Sequence, residues 1–348
     1  MPSVNTLLAR NAVDRQIHML RLSASVRKEV IRILNGLERQ LVGQLAQTNL
    51  TDFQSRRYQD MVANVREMAG KAFAAADHAT TRAVRGLAAY EVDAVRADVH
   101  AAVGVDLLNA TMSPEWTTAI AERMIVQGAP MSAWWAKQEN DLVFRFEQEV
   151  RKGLIANETT DKIIARVRGD AENTGVVGQT RAQAAALVQT TITGASNEAR
   201  MEAFRSNSDI LRGVQQVSTL DERTTDICAA YDLAAWDLDG TPIDGTTLPF
   251  NGGPPRHWNC RSTLAPIVKS SEELGTNVEI APGKRASMDG AVGDKVSFGD
   301  WLETKSKAQQ DNILGEGRAD LWREGKITLR DLVDQSGRPL TLDELKKL

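Results

Sequence analysis

Cysteine is nearly absent: two residues in a chain of 348. So sparse a supply excludes a disulfide framework and points to synthesis in a reducing cytoplasm. No stretch approaches the ~18–20 uninterrupted apolar residues that span a bilayer, so no membrane partner is expected. The first twenty residues carry Arg10, Asp14 and Arg15 and lack an apolar h-region, so they are not read as a signal peptide. Basic excess is missing too. The net charge is −4 and the isoelectric point about 5.7, which argues against a globally basic nucleic-acid binder. No Gly-rich loop ending in Gly-Lys-Ser/Thr offers itself to a phosphate. Internal repeats are lacking as well.

What is present is helix. Alanine, leucine, arginine and glutamate dominate the first two hundred residues, and proline is rare. Val30, Ile33, Leu34, Leu37, Leu41 and Leu45 recur at three-to-four spacing, one apolar face of a helix over 26–45. Further helices are predicted over 52–67, 72–107, 115–126, 132–154, from Thr160 to Gly169, and over 180–207. Pro114 suits the first turn of its helix. The pattern changes after Asn207. Valine-rich 213–219, then 235–238 and 262–268, read as short strands, with a glycine- and proline-rich loop over 248–255. Residues 269–296 are polar and aperiodic. After Phe298 short helices return. The fold class expected is therefore mainly α with a small α+β module. An elongated helical region over 1–207 precedes the module at 208–268, a linker or extended arm at 269–296, and a helical tail at 297–348.

The two cysteines sit at the ends of one segment, Cys228 and Cys260, and His257 lies three positions before the second. Their flanks are equally particular. Asp221, Arg223, Thr224 and Thr225 precede Cys228, and Pro254, Pro255 and Arg256 lead into His257, with Arg261 following Cys260. Three readings are open. Cys228, His257 and Cys260 are candidate ligands of a structural zinc, with Asp221 or Asp226 as a fourth donor, because thiolate and imidazole are the donors zinc prefers. A disulfide between the cysteines would close a loop of 31 residues, worth about 3–4 kcal/mol. The third reading is a buried thiol pair with a hydrogen-bonded histidine. Arg223 and Arg261 offer planar donor forks that can pin loop carbonyls or the Asp221 carboxylate.

Catalysis finds little support. A His-Asn-His nuclease needs a histidine base and further His, Asn or Asp ligands on the metal. After residue 100 the chain holds only His257. A metal-dependent hydrolase or nuclease centred on His257 is the enzyme alternative, and no catalytic residues are assigned. Basic helix 162–168 is the candidate for contact with DNA, although a solvated helix face explains it as well. His18, His78 and His100 lie on helical segments and read as surface or packing residues.

The order Asp221-x-Arg223-Thr224-Thr225-x-x-Cys228, followed by Pro254-Pro255-x-His257-x-x-Cys260-Arg261, resembles the signature of the phage minor head protein family, the Mu F-like head-morphogenesis group. The stretch from Ala184 to Phe204 resembles the helix that precedes that signature. Phe298-Gly299-Asp300-Trp301-Leu302, Ile313-Leu314-Gly315 and Gly325-Lys326-Ile327-Thr328 resemble its closing segment. Likeness extends over roughly 130–348. Two positions depart: Ser262 stands where many members carry a further cysteine, and Gln189 stands where many carry an arginine. The resemblance implies a structural, non-enzymatic protein of the virion head, assembled in the host cytoplasm near the portal. It implies a role in head assembly or in genome packaging or ejection. Portal protein, scaffold or major head protein are the partners implied, with packaged DNA a further one.

Overall fold

The computed structural model describes residues 4–48, 56–103, 114–170, 173–270, 273, 284–293 and 295–348. In chain order, α1 (Val4–Gln47), α2 (Arg56–Val103) and α3 (Pro114–Arg123) precede a small hairpin of β1 (Ile125–Val126) and β2 (Ala129–Pro130). Helices α4 (Met131–Ile155), α5 (Thr160–Arg168) and α6 (Gly175–Arg205) follow, then β3 (Leu211–Val217), α7 (Asp226–Ala230), β4 (Ala235–Asp237), β5 (Pro242–Ile243) and β6 (Thr263–Val268). The chain continues through the hairpin β7 (Lys284–Ser287) and β8 (Gly290–Gly293). It ends in α8 (Phe298–Glu303), α9 (Lys307–Leu314), α10 (Glu316–Arg323), a 3-10 turn (Leu329–Leu332) and α11 (Leu342–Leu345). The fold is mainly α with a small antiparallel β module.

Two compact units divide the chain, Arg21–Gly86 with Thr118–Ile192, and Met1–Leu20 with Leu87–Thr117 and Thr193–Leu348. Among its described residues the first is helical, with β1 and β2 as its strands and short turns between. Its core collects the stripe that the heptad-like spacing marks: Val30, Leu34, Leu37, Leu41 and Leu45 of α1 are buried, as are Val65, Ala69 and Phe73 of α2 and Phe146 and Val150 of α4. Cross-helix pairs ring this core. Arg82 reaches Glu29, Arg66 reaches Glu147, and Arg145 reaches Gln179. Inside it Ser23 donates to Gln189 over 2.8 Å. The helices predicted over 52–67 and 72–107 are one continuous helix where described. Only Gly70 interrupts the good helix formers, at about 1 kcal/mol, and Val65, Ala69 and Phe73 bury that stretch. The expected starts and ends at 52 and 107, and the break at 111–113, lie outside the described residues.

In the other unit four strands pair antiparallel in the order β5-β4-β3-β6. Val214 on the central strand faces Trp236 on one side and Pro266 on the other. Gly213 allows this approach, since a side chain there would run into the Trp236 carbonyl. Trp236, Leu248 and Leu264 share one apolar cluster with Phe204 of α6 and with Phe298, Trp301 and Leu302 of the tail. The tail helices start on capping boxes at Ser297, Ser306 and Thr341, each satisfying two otherwise orphaned groups. Gly337 meets two demands at once: its φ is 87°, and a side chain would strike the Tyr231 hydroxyl.

Two buried polar systems hold this unit. On α6, Thr193, Ser196, Asn197 and Arg200 form one fully buried row. Arg200 grips Glu91 of α2 through Nε to Oε2 at 2.8 Å and Nη2 to Oε1 at 2.7 Å, and Ser196 donates to the same carboxylate. Burial would raise the Glu91 pKa, but the charge and bonds of Arg200 outweigh it and leave it lowered. The second system lies within the segment read as a linker. Arg285 of β7 forks onto Asp232 at 2.9 and 2.7 Å and donates to the carbonyls of Ser218 and Val296. Asp232 also accepts from the backbone of Ser218 and Phe298. One carboxylate thus ties β3, the 284–293 hairpin and the start of the tail.

Arg200→Met strands Glu91 in the core, and losing one partner of such a pair costs about 3–5 kcal/mol. Hydrogen exchange of the β3–β6 amides should show that loss; the double variant Glu91→Leu/Arg200→Met should lose less than the sum of the single changes. Unchanged β3–β6 protection in Arg200→Met would contradict the role given to the pair. Arg285→Met should accelerate proteolysis between 269 and 297 while the helices before Ile192 keep their resistance. An unaltered cleavage pattern would mean that the hairpin is held by something else.

Candidate functional site

The chain builds the site from two tight turns. In the first, Thr225 caps α7 and its hydroxyl accepts from the Cys228 N–H, which sets Cys228 in the helix's first turn, buried. In the second, the Cys260 N–H bonds back to the His257 carbonyl over 3.2 Å. Asn259 occupies the left-handed region, φ 62°, where asparagine is among the most tolerated residues. That turn brings His257 and Cys260 together. Pro254 and Pro255, joined by a cis peptide, deliver the chain into it.

Cys228, His257 and Cys260 converge, with their donor atoms all within 4.8 Å of one another. The sulfurs stand 3.7 Å apart and both thiols are free. His257 Nε2 is 3.1 Å from Cys228 Sγ and 2.8 Å from Thr225 Oγ1, while Nδ1 lies 2.8 Å from the Trp258 carbonyl. The cysteines titrate as a pair. The hydrogen bond to Cys260, with burial, pushes Cys228 well above the usual thiol range. The bond from Cys228, aided by His257 against the cost of burial, holds Cys260 well below it. Burial lowers the His257 pKa, but the bond to Cys260 and its charge outweigh that and leave it raised.

Asp221 stands in the neighbouring turn. Arg261 forks onto both its oxygens, Nη2 to Oδ1 at 2.7 Å. The Arg223 N–H and the Thr224 hydroxyl bind Oδ1 as well. Burial raises the Asp221 pKa, yet Arg261 brings it below the ordinary carboxylate value. Among the described residues the metal-capable cluster contains the two cysteines and His257; the Asp221 carboxylate belongs to the Arg261 pair. Asp226 lies 3.7 Å from Arg318. The Arg223 side chain reaches outward, 82% exposed.

Sequence reasoning missed Arg256 and the α6 row. The Arg256 guanidinium lies 3.5 Å from the centre of the Tyr231 ring and donates to Gln216 and to the Phe250 carbonyl. Burial pulls its pKa down to about 10. Thr193 donates to the Cys260 carbonyl at 2.8 Å, Asn197 accepts from the Leu264 N–H at 2.8 Å, and Arg200 bonds Thr263. The three-to-four spacing of Thr193, Asn197 and Arg200 was the available signal. On α5, the basic helix considered for DNA, Arg166 pairs with Glu158 and Glu149, and Arg168 lies 3.6 Å from Glu38. His18 packs on the Tyr90 ring, with centroids 4.3 Å apart.

Residues 145–265 match the family model described as phage Mu protein F like protein. No curated protein and no solved structure matches the chain. The matched segment runs from α4 through α6 and the sheet to the first residues of β6, and so takes in the Cys228–His257–Cys260 knot and the α6 row that carries its second half. Over that segment, about a third of its length, the chain is similar to the phage Mu protein F like family.

Proposed function

We propose that this protein is a minor head protein carried into the procapsid beside the portal, where it serves head assembly and the packaging or ejection of the genome. The observation that carries the reading is the family match over 145–265. The use of the signature residues agrees with it. Asp221, Arg261, Thr225 and Cys228 are engaged with one another and with their own loop, as residues that hold a surface in shape are. An enzyme would aim them into a cleft with room for substrate. A protein partner suits the chain better than bare DNA, since the net charge is −4 and the α5 arginines are already paired with carboxylates. Portal protein is the first partner in this reading, with scaffold or major head protein next. The virion head is its destination, reached from the host cytoplasm.

Co-expression of the tagged chain with the portal, scaffold and major head proteins of its own phage tests this. The chain should elute with the portal oligomer and be recovered in procapsids. Procapsids that form without it, together with no retention of portal, scaffold or head protein on the tag, would refute the proposal.

A further inference from the structure

The triangle of Cys228, His257 and Cys260 has the dimensions of a metal site. Around a tetrahedral zinc with sulfurs at about 2.3 Å and nitrogen at about 2.0–2.1 Å, two sulfurs stand about 3.7–3.8 Å apart and sulfur and nitrogen about 3.5 Å apart. Here the sulfurs are 3.7 Å apart and Cys228 Sγ is 3.1 Å from His257 Nε2. A disulfide would need the sulfurs at about 2.0 Å. The imidazole is also presented as a ligand is. Its Nδ1–H donates to the Trp258 carbonyl, which leaves the Nε2 lone pair facing the sulfurs, the outer-shell pattern of metal-bound histidine.

We propose that Cys228, His257 and Cys260 bind a zinc ion whose work is structural, joining the two turns of the module. The inference is independent of the partner reading above. Thiolate and imidazole donors select zinc over magnesium or calcium, which need oxygen, and the nearby Asp221 carboxylate is held by Arg261. Cys228 and His257 border a pocket of about 10 Å³ that Thr219, Thr224, Thr225, Asn259 and Ser262 also line. That volume admits about one water. Water on three protein ligands is also how catalytic zinc is built, but a substrate has no room beside this one. Binding displaces the protons of the two sulfurs to solvent.

The test uses the untagged full chain, purified under reducing conditions without chelator. Mass spectrometry of metals should find zinc stoichiometric with protein and retained through dialysis. Cys260→Ala and His257→Ala should lose it, and Asp221→Asn should keep it. Cobalt(II) exchanged into the site should show thiolate charge-transfer bands in the near ultraviolet and tetrahedral d–d bands in the visible. Where the ligand variants do not fold, the parent decides alone: chelation should accelerate cleavage between 228 and 260, and zinc should reverse it. Reduced parent protein that carries no zinc and takes up no cobalt overturns the proposal, as does metal that persists in folded Cys260→Ala.

Discussion

The module depends on burying the backbone from Cys260 to Leu264, an irregular turn and the first two residues of β6, against α6. Peptide groups taken from water without partners cost about 1–3 kcal/mol each. Such a segment can enter a core only if the facing helix supplies donors and acceptors at the right pitch. Thr193 and Asn197 do so. The Thr193 hydroxyl donates to the Cys260 carbonyl, and Asn197 Oδ1 accepts from the Leu264 N–H while its amide donates to the Ser262 carbonyl at 3.3 Å. Residues three and four apart share a helix face, so Arg200 continues the row one turn on and meets Thr263. Its charge then requires Glu91, which is why a helix in the middle of a core carries a fully buried ion pair.

The rest of the module follows from where that stretch is pinned. Its N-terminal end is Cys260, which lies against Cys228 and so ties the turn of α7 to α6. Arg261, next in line, turns away to clamp Asp221 and closes the 219–224 turn. From Thr263 the chain runs as β6 and pairs with β3. Asp232 then extends the scaffold from β3 to the 284–293 hairpin and Phe298. Little of this is apolar contact between large side chains. It is a set of polar bonds in a low-dielectric interior, strong when complete and costly when one member is missing.

Hydrophobic periodicity made the helices legible. Val30, Leu34, Leu37, Leu41 and Leu45 of the stripe are buried, Ile33 is half-buried at its edge, and Gly169 ends α5 where the pattern stops. The strands expected over 213–219, 235–238 and 262–268 are found at 211–217, 235–237 and 263–268; valine marked the first and Thr263, Ile267 and Val268 the last, while the second was read from Trp236 beside a turn. The hairpin at 284–293 gave no such signal, since polar ties dominate its hold on the module: Arg285 onto Asp232, the Met288 N–H onto the Leu220 carbonyl and Trp301 onto Asp289. For the same reason the α6 row escaped notice: a helix buried on both its apolar and its polar residues shows little amphipathic contrast. The convergence of Cys228, His257 and Cys260 was readable from scarcity and spacing. The assignment of Asp221 to Arg261 was not, because sequence alone leaves a carboxylate equally near a metal and a guanidinium.

Ser262 brings these threads together. It stands where many family members carry a further cysteine, and its side chain bonds Cys228 and lies 3.2 Å from the Ser218 hydroxyl, on the border of the pocket beside the knot. In this chain a hydroxyl is there instead, too weak a donor to replace thiolate on the zinc proposed above. The same hydroxyl is useful in another way. It bonds a buried thiol and helps satisfy Ser218, whose own hydroxyl donates to the Cys228 carbonyl at 2.7 Å. Ser262 thus serves as a hydrogen-bonded support between the two turns, one of the polar bonds that hold them whether or not the proposed ion is bound.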